Sequence, residues 1–411
     1  MNKIGFHYYQ DTDHYRRSDL TRWLPELEAL QASWLGLEAP LNRAVPEDFL
    51  SGLLQAGIQP VLHFRLPPDK VPSVGDYELL FETYARWGVK YLVLFDRPNL
   101  KSSWSAETWA QSDLVERFLD AYLPLANTAL SKGLKPVFPT LQPGGDYWDT
   151  MFLRASLVGL RRRASDYLLE RLVLNAWADG QGRSLNWGVG GPERWPEAHP
   201  YQEAGVKQDH RGFRIADWYL ALSEAILGKK VPVMLTGLGG EVPDQDDFVQ
   251  RELTMLELLE QEELEDYEPL PEEVVCGMFR LVDHPEQTPE FRGWYHRDGN
   301  RKPVVEAALE RKGEPIGKGL RDFRMKHYLL LPTYEWGVAD WHLEVTRSYV
   351  KRHRPTLGFS LQEAARAEQI IVLGGEEHFS EDALNELRAK GSLVRRIEGD
   401  GTDIAAQLAA I

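Results

Sequence analysis

Short apolar runs rich in β-branched and aromatic residues alternate along most of this chain with longer stretches whose apolar residues recur three and four positions apart. The first pattern is that of buried strands, the second that of amphipathic helices. Strand-like runs occupy 4–9, 33–37, 59–66, 91–95, 135–141, 171–176, 232–238 and 274–282. Helical patterns fill 20–30, 49–56, 77–87, 114–130, 152–169, 213–227 and 248–259 between them. Gly57, Gly88, Gly133 and Gly228 each stand just before a strand, where a helix C-terminus favours glycine. Alternating strands and helices imply a parallel sheet, and eight such units predict a closed (β/α)8 TIM barrel over 1–318. An open doubly wound sheet is the alternative reading of the same pattern.

Near 311–326, Gly313, Gly317 and Gly319 mix with Lys and Arg, and the pattern then restarts. Strand-like 328–331, 370–373 and 393–397 alternate with helical 338–350 and 381–390 and a terminal helix. This predicts a small three-layer α/β domain over 326–411.

In such a barrel the chemistry sits on the loops that follow the strand C-termini. Those loops begin near His7-Tyr8-Tyr9, Glu38, His63-Phe64-Arg65, Asp96-Arg97, Gln142, Asn175-Ala176-Trp177, Thr236-Gly237 and Asp283-His284. The Gly-, Pro- and Trp-rich segment 179–209 reads as a long functional loop, and acidic 257–273 as a solvated face.

Composition narrows the function classes. With 43% hydrophobic and 27% charged residues the chain is neither disordered nor membrane-embedded. A net charge of −16 argues against nucleic acid, which needs a basic face. Cys276 is the sole cysteine, so there is no intrachain disulfide and no cysteine zinc site. No apolar stretch has the roughly 20 residues of a transmembrane segment. The start, Met1-Asn2-Lys3-Ile4, shows no apolar signal. The expected address is therefore cytoplasmic as written, or the cell surface if a leader has been removed. No metal-binding helix, phosphate loop or nucleotide fingerprint occurs, so no cofactor and no metal are expected. His7 and His63 read as polar lining at the barrel mouth. The 13 tryptophans stand out; core packing is the first reading of any one of them, and sugar rings also stack on such side chains in a cleft.

Four segments carry a resemblance. They are Phe95-Asp96-Arg97-Pro98-Asn99, Gly144-Gly145-Asp146-Tyr147-Trp148, Asp166-Tyr167-Leu168-Leu169 with Leu174-Asn175-Ala176-Trp177, and Pro232-Val233-Met234-Leu235-Thr236-Gly237-Leu238-Gly239. Their order resembles the retaining glycosidases of the large (β/α)8 clan, in which strand four supplies a glutamate acid/base and strand seven a glutamate nucleophile. The resemblance spans roughly 4–310. At the acid/base position this chain has Arg97, and at the nucleophile position Gly237. Retaining hydrolysis needs two carboxyl groups about 5–5.5 Å apart. Arginine stays protonated near neutral pH and glycine has no side chain, so that mechanism cannot run from these positions.

The resemblance therefore implies a glycoside-hydrolase-like barrel that binds an oligosaccharide or polysaccharide with its catalytic glutamates replaced. The candidate binding residues are Tyr8, His63, Arg65, Arg97, Trp148, Asn175, Trp177 and Trp294. An active hydrolase using displaced Asp96 and Glu241, with Asp179 or Asp283 in support, is an alternative. It requires an irregular strand end to turn Asp96 into the cleft, since neighbours on a strand point to opposite sides. A structural or assembly scaffold is the third reading.

The C-terminal run Ile370-Ile371-Val372-Leu373-Gly374-Gly375-Glu376, followed by Phe379-Ser380, Leu384-Asn385-Glu386-Leu387 and Val394-Arg395-Arg396-Ile397-Glu398-Gly399, resembles one cell-wall-binding repeat of bacterial surface proteins. That likeness implies a cell-envelope polymer as partner, or self-association through this domain.

Overall fold

Eight of the strand-like runs become the staves of one parallel sheet: β1 (Ile4–His7), β2 (Trp34–Glu38), β3 (Gln59–Phe64), β4 (Tyr91–Leu94), β5 (Lys135–Val137), β6 (Leu174–Trp177), β7 (Val233–Thr236) and β8 (Val274–Arg280). The computed structural model describes residues 2–70, 73–180, 182–198, 209–239, 245–261, 264–284, 292–311, 325–334, 337, 339–365, 367–389 and 392–409. Strand order is β5-β4-β3-β2-β1-β8-β7-β6. Parallel bridges Val137↔Val173 and Leu141↔Ala176 join the two ends of that list, so the sheet closes on itself as a (β/α)8 barrel. Gly57, Gly88, Gly133 and Gly228 close their helices with positive φ, the conformation glycine adopts without strain.

Residues alternate between the two sides of each strand, and the alternation sorts them by size and polarity. Trp34, Val61, Val93, Val137, Val173, Met234, Cys276 and Met278 point inward and form one buried cluster. β1 contributes Gly5 to this layer. A Cβ there would lie 2.8 Å from the Cβ of Trp34, so the missing side chain makes room for the indole. Burial pushes the Cys276 thiol upward, so it stays protonated as a small apolar filler. The outward set packs on the helices as an aromatic belt. Phe64 meets Tyr77, Phe81 and Tyr84, and Phe95 meets Phe118 and Tyr122. Each such ring contributes roughly 1.5–3 kcal/mol by leaving water.

One helical expectation is corrected. The pattern over 152–169 predicts a single helix, but the chain forms Asp149–Arg163 and Asp166–Arg171. Ala164 is extended, and the Ser165 side chain accepts from the backbone N of Leu168, so serine acts as a new N-cap inside an unbroken apolar period.

The chain folds as two compact units, Met1–Ala308 and Leu309–Ile411. Most of the expected linker lies outside the described residues. The second unit is a four-stranded parallel sheet of β9 (Met325–Leu330), β10 (Thr356–Gly358), β11 (Ala367–Leu373) and β12 (Leu393–Ile397) in the order β10-β9-β11-β12. Helices Asp340–His353, Leu361–Ala364, Glu381–Ala389 and Gly401–Ala409 connect and follow the strands. Tyr328, Leu330, Ile370 and Val372 face Leu384 and Leu387 on one side, while Leu329, Ile371 and Leu373 face Tyr349, Ile404 and Leu408 on the other. The edge strand β10 has three residues, too few to leave a period in the sequence.

Candidate functional site

The strand C-termini surround a cavity of about 260 Å³ whose floor is the inner layer residues Val61, Val93, Met234 and Met278. Its polar wall comes from the strand ends in turn. β1 gives His7, β2 Glu38, β3 His63 and Arg65, the β4 end Asp96 and Arg97, β6 Asn175 and Trp177, and β8 Arg280. Thr140 and Thr236 complete the ring.

The strand-four end departs from regular geometry. Phe95 has φ 70° and Arg97 φ 44°, so the alternation breaks and both Asp96 and Arg97 line the cavity. The irregularity that a cleft-facing Asp96 requires is therefore present. Buried Asn99 latches this turn to the next loop: its Nδ2 donates to the carbonyls of Gln142 (2.8 Å) and Tyr147 (3.0 Å), and its Oδ1 accepts from the Gln142 N (2.9 Å).

Charge in the cavity is organised around arginine. Arg65 donates two bonds to Glu38, Nε to Oε2 at 2.8 Å and Nη2 to Oε1 at 2.7 Å, and its Nη1 lies 3.8 Å from Asp96. Arg97 reaches Asp96 through Nε (3.3 Å) and Gln142 through Nη1 (3.4 Å). Burial by itself would raise the Asp96 carboxyl. His63, Arg97 and Arg65 together outweigh it and hold the group below the ordinary carboxylate value. Arg280 is lowered to about 10, first by burial and then by the like charges of Arg65 and Arg97. With its amide turned to satisfy both neighbours, Gln10 accepts from Arg280 Nη1 and Nη2 (the latter at 3.2 Å) and donates to His284 Nε2 (2.9 Å). His7 is driven down to about 3 by burial and by Arg280, so it is neutral, and its buried Nε2 has no hydrogen-bond partner among the described residues.

Opposite the arginines, Thr236 Oγ1 donates to Asn175 Oδ1 (2.8 Å) and Asn175 Nδ2 donates to Thr140 Oγ1 (2.7 Å). This chain fixes the amide's orientation. Trp177 is half-buried beside it, with the Arg97 guanidinium 5.8 Å from its ring centroid. Gly237 follows with φ 65°, and a Cβ there would fall 2.4 Å from Trp177 Cε2. The indole thus fills the space that a side chain at 237 would enter.

Other expected site residues are elsewhere. Tyr8 borders the cavity but is 1% exposed, its ring packed against Tyr9, Tyr15, Trp23 and Phe49. Trp294 is fully buried, edge-on to Phe6, and donates to Glu252 Oε2 at 2.7 Å. Neither ring is open to a sugar, because each lies in the apolar layer outside the staves. Trp148 stands away from the cavity, against His210 (5.5 Å) with Arg211 above it. Asp283 is absorbed by Lys302, the Gly293 N (2.9 Å) and His296 (3.5 Å). Asp179 is outside the cavity lining, and Glu241 lies outside the described residues. Glu252, on helix Gln245–Leu259, is pushed up to about 7 by burial, and it too is outside the lining. Among the described residues no group of three or more His, Cys, Asp or Glu is placed to hold a metal ion, and no helix is long and apolar enough to cross a membrane.

No protein-family model matches this sequence, and no curated protein matches it. Solved structures similar to it include a monomeric β-xylosidase from Caulobacter crescentus CB15, at 12% identity and TM-score 0.47, covering 76% of this chain and 68% of that one. A GH128 endo-β-1,3-glucanase from Sorangium cellulosum is 13% identical with TM-score 0.39, covering 75% of this chain and 97% of that one. An L-ribulose 3-epimerase is 14% identical with TM-score 0.40, covering 76% and 93%.

Sequence reasoning missed the roles of Glu38, Arg280 and Gln10. Glu38 carried a signal, as an acid at the end of a strand run. Arg280 carried none, because its run continues in apolar residues to Val282.

Proposed function

We propose that the barrel unit binds a carbohydrate in this cavity and does not hydrolyse it by the two-glutamate route. The observation that carries the reading is Trp177 seated over Gly237, which leaves no room for a nucleophile at the end of β7. Asp96 supports the same reading. A general acid must hold its proton near neutral pH, and this carboxyl is instead kept ionised between cations. What remains suits recognition: an indole wall, an oriented Asn175 amide, a neutral His7 and a set of guanidinium donors around a concave space.

The experiment is a glycan-binding panel on the full chain, run beside a reducing-sugar assay on the same ligands. The expected result is saturable binding without product, with affinity reduced at least tenfold in Trp177→Ala. Product release that disappears in Asp96→Asn or Glu241→Gln would overturn it in favour of a hydrolase. Absence of any glycan binding, with concentration-dependent assembly, would favour the scaffold reading. For the C-terminal unit the proposal is docking to a cell-envelope polymer, supported by its repeat-like sequence. Loss of sedimentation with purified cell walls after removal of 325–411 tests it.

A further inference from the structure

Helix Asp340–His353 of the second unit carries a histidine near each end, and each of them faces another histidine across a tyrosine. At the first turn, His342 lies parallel to Tyr334 with ring centres 6.0 Å apart, and Tyr334 meets His378 edge-on at 5.3 Å. At the last turn, His353 stacks on Tyr349 at 4.4 Å, and the Tyr349 hydroxyl hydrogen-bonds His327 Nε2 of β9 at 3.0 Å. The rings of His327 and His353 are 6.3 Å apart. None of these side chains lines the barrel cavity.

Both ends are built for neutral rings. His342 is 2% exposed, and its Nδ1 and the Nε2 of His353 are buried with no hydrogen-bond partner among the described residues. A proton added to either nitrogen would make a charged N–H without an acceptor. The charges nearby do little to relieve this. Glu377 Oε1 lies 3.0 Å from His378 Nδ1, on the outer ring of that pair, and Arg396 of β12 donates to the next carbonyl, that of Phe379. The helix's own Asp340 and Glu344 are exposed to water. A helix C-terminus favours a cation, but Lys351, Arg352 and Arg354 already supply it beside His353, and Arg395 of β12 bears on Tyr349. Burial first, and then His353, hold His327 below the ordinary 6.5; burial and then His378 do the same to His342. Below pH 6.5 an unpacked chain therefore takes up protons that the packed one refuses, so the attachment is complete above that pH and weakens beneath it.

We propose that helix Asp340–His353 is an acid-released strap, locked on the sheet of the second unit at neutral pH and lifted from it in mild acid as the histidine pairs at its two ends take up protons. Lifting it bares the apolar face of Leu329, Ile371 and Leu373, which Tyr349 now helps to cover. The change is local because the opposite core, where Tyr328, Leu330, Ile370 and Val372 meet Leu384 and Leu387, contains no histidine. The inference is independent of the carbohydrate reading.

The test is hydrogen–deuterium exchange by mass spectrometry on the full chain at pH 7.5 and 5.5, with each peptide scaled to its intrinsic exchange rate. Protection over 340–353 is expected to fall at least tenfold at pH 5.5, while β11 and the barrel helix Leu114–Ser131 change less than threefold. His353→Gln and His378→Gln replace half-buried rings, and each should shrink that fall at least threefold. Combining them should abolish it, and His327→Gln should shrink it from the β9 side. Protection at pH 7.5 shows which variants fold, and the comparison is read from those. A helix equally protected at both pH values would overturn the inference. So would simultaneous loss over the helix, β9 and β11, which would mean that the unit melts as a whole. A release undiminished in every folded variant would assign it to other groups and overturn it as well.

Discussion

Gly237 and Trp177 show how one residue pair shapes the end of β7. A glutamate placed at 237 meets two obstacles, a left-handed φ of 65° and an indole carbon 2.4 Å from its Cβ. The backbone term alone costs about 1–2 kcal/mol for a residue other than glycine. Gly237→Glu is therefore expected to lower the melting temperature and to yield no hydrolase. Gly237→Ala should lose at least that backbone term in urea unfolding. A stable, hydrolytic Gly237→Glu protein would contradict the packing described here.

His7 makes a second prediction at this scale. Its folded-state pKa of about 3 lies below the ordinary 6.5. As pH falls through 6.5 the unfolded chain takes up a proton that the folded chain refuses, so stability drops between about 6.5 and 3 and is fully present above 6.5. The slope from this group is at most about 1.4 kcal/mol per pH unit. Glu252 acts with the opposite sign between 4.5 and about 7, since its folded carboxyl keeps a proton that the unfolded one releases. The His7 contribution is isolated by subtracting His7→Gln from the parent chain in urea titrations from pH 4 to 7.5. A pH-independent difference would refute the assignment.

At the level of elements, the site depends on how the ends of β4 and β5 are tied. Asn99 makes three bonds to the loop after β5 while fully buried, and the Asp96–Arg97 turn is held in place between them. Asn99→Ala takes away the partner of the Tyr147 carbonyl and of the Gln142 N–H, while the Gln142 carbonyl keeps the Gly145 N. At roughly 1–3 kcal/mol for each buried polar group stranded, a loss of several kcal/mol is expected, together with weaker ligand binding. Asn99→Asp should recover the accepted bond and not the donated ones, and so fall between the two. The Ser165 cap is a gentler case. Ser165→Ala should cost about 1 kcal/mol and leave binding unchanged, because the cap lies outside the cavity lining.

For the whole molecule, two separate cores predict two thermal transitions. Leu329→Ala belongs to the core of the second unit and should shift one transition by several degrees, with the other unmoved. Val93→Ala, in the barrel interior, should move only the other. Calorimetric traces in which both variants shift a single common peak would show that the units unfold as one.

The sequence by itself determined the eight strand–helix units and the small α/β domain, because strand and helix periods are local, whereas closure of the sheet, as against an open doubly wound one, was decided by the bridges between the β5 and β6 ends. It also placed Arg97 just after β4 and Gly237 just after β7. It could not show that Trp177 covers Gly237 or that Arg280 joins Arg65 and Arg97, since those meetings bring together residues distant along the chain. Nor could it separate Trp177, on the cavity wall, from Trp294, in the core, because only the tertiary packing sets which ring faces the cavity.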